Sequence, residues 1–227
     1  MIHAYDKSYL SAAQKNLARM LDYLVNDLHY PLEMAWQWFV TSELSARFEQ
    51  GDCSVLVGLS GVELARAVLE QAGEAVPMQK PSYAYDRSPE YWTGWALAYY
   101  QWLTSLRFAE IEQAVSITKV RLLYTPYHEM DVRQFVDKMN ELYRAAKPET
   151  NLKAMRTLAG LSQSELAGQA DVPVRTIQQY EQRQKDINKA QAETLLRLAR
   201  ALNCNVEDLM EKVPPLNFIA RQESSAT

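Results

Sequence analysis

The sequence of 227 residues predicts an all-α protein with two helical domains. Apolar side chains recur at helical spacing along most of the chain, and motifs that cap helix N-termini precede several of these stretches. Breaks that contain proline or glycine separate them. A predicted linker at residues 147–149 divides a helical domain at 1–147 from a second domain at 151–212, and residues 213–227 are expected to form a mobile tail.

The first domain is predicted to consist of helices with short connections. Capping motifs at residues 60–63 and 88–89 mark two helix starts. Residues 116–124 fit both a helical turn and a short strand, and Thr125–Pro126 is expected to end that segment. The predicted helices span residues 9–29, 31–51, 61–73, 89–108 and 131–146, with a loop at 74–88.

Aromatic side chains are unusually dense in residues 83–102, which contain eight tyrosines and tryptophans. Four of them lie at positions i, i+3, i+7 and i+10 of one predicted helix: Trp92, Trp95, Tyr99 and Trp102. This stripe is predicted to belong to the core. As an alternative, part of it forms a docking surface, because exposed Trp and Tyr are enriched at interfaces and the neighbours Tyr99 and Tyr100 cannot both face inward.

The second domain contains a predicted pair of helices joined by a tight turn. Ser162 and Glu165 form a capping box, so the first helix is expected to begin at about Gln163 and to run to about Ala170. Pro173 has a fixed φ that suits the first position of a helix, which predicts a second helix at 173–182.

The second helix of this pair carries a polar outer face. Ile177 and Tyr180 are predicted to look inward, whereas five residues face outward: Val174, Arg175, Gln178, Gln179 and Gln182. Arg pairs well with guanine and Gln with adenine in the major groove of DNA. Alone, such a stripe is most often a solvated face, but in a helix-turn-helix the second helix is the one that enters the groove.

The remaining apolar residues of this domain are predicted to close one core. Five of them lie on a single helical face: Ala192, Leu195, Leu196, Ala199 and Leu202. Five more are expected to supply the other walls: Leu152, Met155, Leu158, Val206 and Leu209.

Residues 151–211 resemble the Xre or phage-repressor type of helix-turn-helix domain, a five-helix lambda-repressor-like fold. The resemblance lies in the sequence LSQSELA at Leu161–Ala167 and in the pattern TIxxxE at Thr176–Glu181. It implies contact with double-stranded DNA, and a backbone after the second helix that follows phosphate. The residues that it assigns to DNA are Gln163, Val174, Arg175, Thr176, Gln178, Gln179, Gln182, Arg183 and Lys185. Asp171 and Arg183 depart from the family, which commonly has Gly at both positions.

Charge indicates that one copy of the second domain binds DNA weakly. Residues 151–212 carry nine Lys and Arg against eight Asp and Glu, whereas residues 1–150 carry fourteen against nineteen. Since phosphate neutralisation by one copy would be modest, we expect a homodimer on a pseudo-palindromic operator with half-sites about 10 base pairs apart, or a multiple of that.

Other classes of protein are not favoured by the sequence. There is no signal-peptide pattern and no long apolar run, which predicts a cytoplasmic protein without membrane association. Cys53 and Cys204 are the two cysteines and His3, His29 and His128 are scattered, so no disulfide, metal site or cofactor is expected. We also predict no enzymatic activity.

Two functions therefore stay open. The first is a sequence-specific DNA-binding regulator, either a repressor or an autoregulating antitoxin. The second is a protein-interaction module in which residues 1–147 neutralise a toxin or another partner protein and DNA binding is secondary.

Overall fold

The computed structural model describes residues 3–76, 78–82, 87–147 and 149–213, and all regular secondary structure in these residues is helical. This confirms the all-α prediction. The chain divides into two compact units between Tyr143 and Arg144. Pro148 of the predicted linker and residues 214–227 of the predicted tail lie outside the described residues.

The first unit is built from ten α-helices, counted in the described residues, and the last of them crosses the division at Tyr143. A π-helix at Tyr23–Asp27 continues the first helix. The helices are α1 Lys7–Asp22, α2 Leu32–Thr41, α3 Glu43–Glu49, α4 Cys53–Leu56, α5 Gly61–Gln71, α6 Pro89–Thr104, α7 Phe108–Ala114, α8 Ile117–Leu122, α9 Tyr124–Tyr127 and α10 Val132–Ala146.

Several predicted boundaries in this unit were wrong. The helix predicted at 31–51 is broken at Ser42, whose extended backbone lets its hydroxyl cap α3. The helix predicted at 89–108 ends at Thr104, because Ser105 adopts a left-handed conformation with φ of 54°. Residues 116–124 contain the helix α8 and no strand, and Thr125–Pro126 lies inside α9 instead of ending a segment.

Helix α6 lies at the centre of the first unit and is buried around most of its circumference. The predicted aromatic stripe on this helix is nevertheless only partly core. Trp92 and Trp102 are buried, whereas Trp95 and Tyr99 are half-buried. Tyr100, which is off the stripe, is completely buried and donates a hydrogen bond to Asn140 Oδ1 at 3.0 Å. Two members of the aromatic-rich stretch, Tyr83 and Tyr85, lie outside the described residues.

Helices α1 and α6 approach each other closely at Gly94. A Cβ atom at this position would lie 2.6 Å from the carbonyl oxygen of Leu17 and 2.8 Å from the Cα atom of Ala18. Both are backbone atoms, which cannot rotate away as a flexible side chain would. The contact thus requires glycine.

We expect Gly94→Ala to destabilise the first unit by roughly 1–3 kcal/mol, the usual cost of overpacking a core. All five tryptophans lie in residues 1–143, so denaturant unfolding followed by tryptophan fluorescence reports this unit. Gly168→Ala is the control, because a Cβ there meets nothing within 4 Å and alanine favours a helix. An unchanged fluorescence midpoint in Gly94→Ala would contradict the close approach.

The second unit contains five α-helices and one 3₁₀ turn in its described residues, as the resemblance implied. Its core combines side chains from all five helices with Ile187 of the 3₁₀ turn. The elements are α11 Asn151–Leu158, α12 Gln163–Ala170, α13 Val174–Glu181, the 3₁₀ turn Ile187–Lys189, α14 Ala192–Leu202 and α15 Val206–Leu209.

The predicted core of this unit was correct except on two helices. On α14 the buried face consists of Leu195, Leu198, Ala199 and Leu202, whereas Ala192 and Leu196 are exposed. Leu158 is 83% exposed, because α11 ends there and the chain turns at Gly160 with φ of 70°. Both errors arise because helical spacing alone does not fix which way a helix faces.

Candidate DNA-binding surface

Helices α12 and α13 form the predicted helix-turn-helix. The capping box at the start of α12 is present: Ser162 Oγ accepts from the backbone N–H of Glu165 at 3.2 Å, and a Glu165 carboxylate oxygen accepts from the N–H of Ser162 at 2.7 Å. Each of these two contacts gives an acceptor to a backbone N–H group that has none within the helix. The helix runs to Ala170, as predicted.

The turn between the two helices depends on Asp171. This residue adopts a left-handed conformation with φ of 51° and ψ of 48°, so it takes the geometry for which the family commonly uses glycine. Its carboxylate accepts from Arg197 Nη1 at 2.7 Å.

The prediction for Pro173 was wrong by one residue. Its ψ of 134° is extended, so Pro173 is the N-cap and α13 begins at Val174.

The outer face of α13 carries polar side chains. Arg175 and Gln182 are exposed, the latter just after the helix ends, and Gln178 and Gln179 are half-buried. Ile177 is completely buried and Tyr180 half-buried, as predicted. Two other predicted site residues, Val174 and Thr176, are half-buried; Val174 packs partly on the core, which corrects its expected outward orientation.

A buried ion pair attaches α13 to α11. The side chain of Glu181 is only 3% exposed and accepts from Arg156 Nε at 2.6 Å and from Nη2 at 3.0 Å. We call this contact the Arg156–Glu181 bridge. Its geometry is bidentate, the strong form of an arginine–carboxylate contact. Sequence reasoning had not identified this bridge, although Glu181 closes the TIxxxE pattern.

The same carboxylate holds Gln163, the predicted site residue on α12. Gln163 Nε2 donates to Glu181 at 2.7 Å, and Gln163 Oε1 accepts from Gln178 Nε2 at 3.4 Å. A chain of polar contacts thus runs from Arg156 through Glu181 and Gln163 to Gln178. It fixes the amide side chain of Gln163, at the start of α12, relative to that of Gln178, in the middle of α13.

These contacts set the ionisation of Glu181. Burial alone would raise the pKa of this carboxyl, but hydrogen bonds from Arg156 and Gln163 outweigh it and hold the pKa below its ordinary value. A carboxyl with a depressed pKa in the folded state contributes stability that is fully present above its unfolded pKa of about 4.3 and is lost as the pH falls through the folded value.

We therefore expect the second unit to lose stability when the pH is lowered from about 6 to about 3. Glu181→Gln should show a shallower loss over that range, since it cannot take up this proton. Far-ultraviolet circular dichroism during thermal unfolding at each pH provides the measurement. Equal pH dependence in the variant and the wild type would show that Glu181 is not the titrating group.

The loop after α13 also takes a conformation typical of glycine. Arg183 has φ of 55°, and its guanidinium donates to the backbone carbonyls of Lys147 and Glu149 at 3.4 and 3.2 Å. It also lies 3.9 Å from Glu211. Arg183 thus adopts the left-handed backbone for which the family commonly uses glycine. Its guanidinium contacts residues of the second unit. Lys185, two residues further on, is exposed.

Other kinds of site receive little support from the described part of the chain. No group of three or more His, Cys, Asp or Glu side chains there is arranged to hold a metal ion. None of the helices described is both long enough and apolar enough to cross a membrane.

Comparison with known proteins identifies one region. Residues 152–209 match the family described as helix-turn-helix. No curated protein and no solved structure shows significant similarity to the chain. The match covers α11 to α15 and none of the first unit. The C-terminal region of this chain is therefore an Xre-like helix-turn-helix domain, a DNA-binding domain of transcription regulators.

Proposed function

We propose that the protein is a sequence-specific transcription regulator that places α13 in the major groove of DNA. The observation that carries this proposal is the polar outer face of α13, on the second helix of a helix-turn-helix whose inner face is fixed by Ile177 and by the Arg156–Glu181 bridge. A rigid helix that presents exposed donors is what base recognition requires.

Three side chains are assigned to base edges. Arg175 is exposed and matches the two acceptors of guanine, and Gln178 and Gln179 match the donor and acceptor of adenine. Thr176, next to Arg175, offers a methyl group suited to thymine, and Val174, which packs partly on the core, offers only the part of its side chain that stays exposed. Because these residues follow one another on α13, they would contact neighbouring base pairs.

Phosphate contacts are assigned to the edges of this surface. Gln182 and Lys185 are exposed after the end of α13, and Gln163 lies at the N-terminus of α12, where backbone N–H groups favour an anion. The guanidinium of Arg183 contacts carbonyl oxygens, so we assign to Arg183 a role in shaping the loop. Such contacts set the register of the protein on DNA.

A homodimer is part of the proposal. With nine positive and eight negative charges in residues 151–212, one copy neutralises few phosphates, and two copies on a two-fold site double every contact. Both a repressor and an autoregulating antitoxin would use this surface in the same way. They differ in whether residues 1–147 bind a toxin.

Selection of binding sites from random duplexes with the purified full chain tests the proposal. We expect enrichment of a pseudo-palindrome whose half-sites lie about 10 base pairs apart or a multiple of that. Equally weak binding to every duplex at moderate salt would overturn the proposal and leave the first unit as the functional part of the molecule.

A further inference from the structure

The first unit contains an open cleft of about 570 Å³ between the N-terminal half of α6 and the helix α9. This volume falls within the range of small-molecule sites, roughly 300–1,000 Å³. The residues that line it are Arg87, Tyr91, Trp92, Trp95, Tyr124, Tyr127, His128, Met130 and Val132. Five of these nine carry Tyr or Trp rings, an unusually aromatic lining.

Helix α9 leaves both of its tyrosines, Tyr124 and Tyr127, half-buried. None of its four residues is buried, although two of them are tyrosines. Opposite α9, Tyr91 and Trp95 are also half-buried, and Met130 is 49% exposed. Large apolar side chains thus face an open space from both sides, which is the arrangement of a binding cleft rather than of a completed core.

The rings in the cleft are arranged to receive a flat molecule. Tyr124 stacks on His128 with ring centroids 4.3 Å apart and an angle of 23° between the planes. Trp92, which is buried, meets Tyr124 edge to face at 5.8 Å and forms the floor. Aromatic faces and edges set in this way favour stacking and edge contacts with a further ring.

The lining, in the described residues, contains one arginine. Arg87 is exposed, and its guanidinium lies 5.2 Å from the centroid of the Tyr91 ring, with no ion pair to another described residue. The imidazole ring of His128 also lines the cleft. No carboxylate is among the described residues that line it.

The carboxylates described near the cleft are paired with arginine or exposed to solvent. Glu90, which precedes Tyr91, is buried and paired with Arg121, and Asp131 is paired with Arg133. Glu129 lies 3.6 Å from His128, but its side chain is 86% exposed to solvent. Among the described residues, Arg87 and the aromatic rings therefore face the open space, and an anion would meet Arg87 there.

We propose that this cleft binds a small planar aromatic carboxylate, with its ring between α6 and α9 and its carboxylate on Arg87. Arginine suits that role because its planar guanidinium matches a carboxylate in bidentate fashion. An aromatic cation is the less suitable occupant, since Arg87 already covers the face of Tyr91. The proposal goes beyond DNA binding and does not depend on it.

Calorimetric titration of the full chain without DNA tests the proposal. The probes are naphthalene-2-carboxylate, the neutral naphthalene-2-carboxamide and the non-aromatic cyclohexanecarboxylate. We expect the aromatic acid to bind about tenfold more tightly than either of the others, which is what one charge-assisted contact or one stacked ring supplies. No binding of the aromatic acid at millimolar concentration, or equal affinity for all three probes, would overturn the proposal.

Variants separate the two parts of the proposed site. Arg87→Gln should abolish the preference for the acid over the amide, and Arg87→Lys should retain part of it. Arg107→Gln is the matched control, since its side chain is 68% exposed and does not line the cleft. Trp95→Leu should weaken the binding of both naphthalene probes about fivefold or more, because the naphthalene ring would lose its stacking contact with Trp95. A preference that survives in Arg87→Gln, or is lost equally in Arg107→Gln, would contradict the assignment of the carboxylate to Arg87.

Discussion

Arg175→Ala is expected to weaken binding to the selected duplex by roughly 2–6 kcal/mol, because a bidentate contact to guanine contributes about 1–3 kcal/mol and a dimer on a two-fold site loses two of them. The loss should be concentrated on duplexes that keep the base pair read by Arg175. Fluorescence anisotropy with the selected duplex and with a duplex substituted at that position in both half-sites gives the two affinities. The difference in affinity between the selected and the substituted duplex is expected to be large for the wild type and small for Arg175→Ala.

Arg200→Ala is the control for the change in charge. Arg200 is exposed on α14, in the same unit as Arg175 but on a different helix. Its removal should weaken binding only slightly and to the same extent on every duplex, as expected for a cation that is not assigned to a base. If both variants lose affinity equally on all duplexes, Arg175 acts as a general cation and does not recognise a base.

Glu181→Ala is expected to destabilise the second unit by roughly 2–4 kcal/mol, close to the usual cost of removing one partner of a buried ion pair. Arg156, whose side chain is 13% exposed, would be left without its carboxylate, and Gln163 would lose its acceptor. Circular dichroism should show an earlier unfolding transition. Tryptophan fluorescence, which reports only residues 1–143, should change little.

Two further variants test whether this effect belongs to the buried pair. Arg197→Gln removes the exposed pair with Asp171 and should leave the transition nearly unchanged. Combining Glu181→Leu with Arg156→Met should recover much of the lost stability, because no unpaired charge is then buried. Recovery of DNA affinity is not expected, since Gln163 stays without its acceptor. Full recovery of both would contradict a positioning role for Glu181.

The parts of the fold that depend on local chemistry were predictable from the sequence. Ser162 and Glu165 fixed the start of α12, and Ser60 with Glu63 fixed that of α5, because both capping boxes are formed by residues close in sequence. Pro173 gave the start of α13 to within one residue, since it is the N-cap and not the first helical residue. The polar outer face of α13 followed from helical spacing.

Features that depend on contacts between distant residues were not predictable. The Arg156–Glu181 bridge joins residues 25 positions apart, and no periodicity marks it. The same holds for Leu196, whose exposure depends on how α14 turns toward the core. Helix α4 has four residues, too few to show a helical pattern, so the sequence did not indicate it. The aromatic cleft needs α9, where the sequence predicted a break.

Parallel selection of random duplexes with the wild type and with Arg175→Ala tests most directly whether α13 reads the sequence of DNA. We predict that the wild type enriches paired half-sites, and that the variant enriches the same half-sites with the preference lost at one position in each. Identical enriched sequences from both proteins, or no enrichment by the wild type, would contradict base recognition by the outer face of α13.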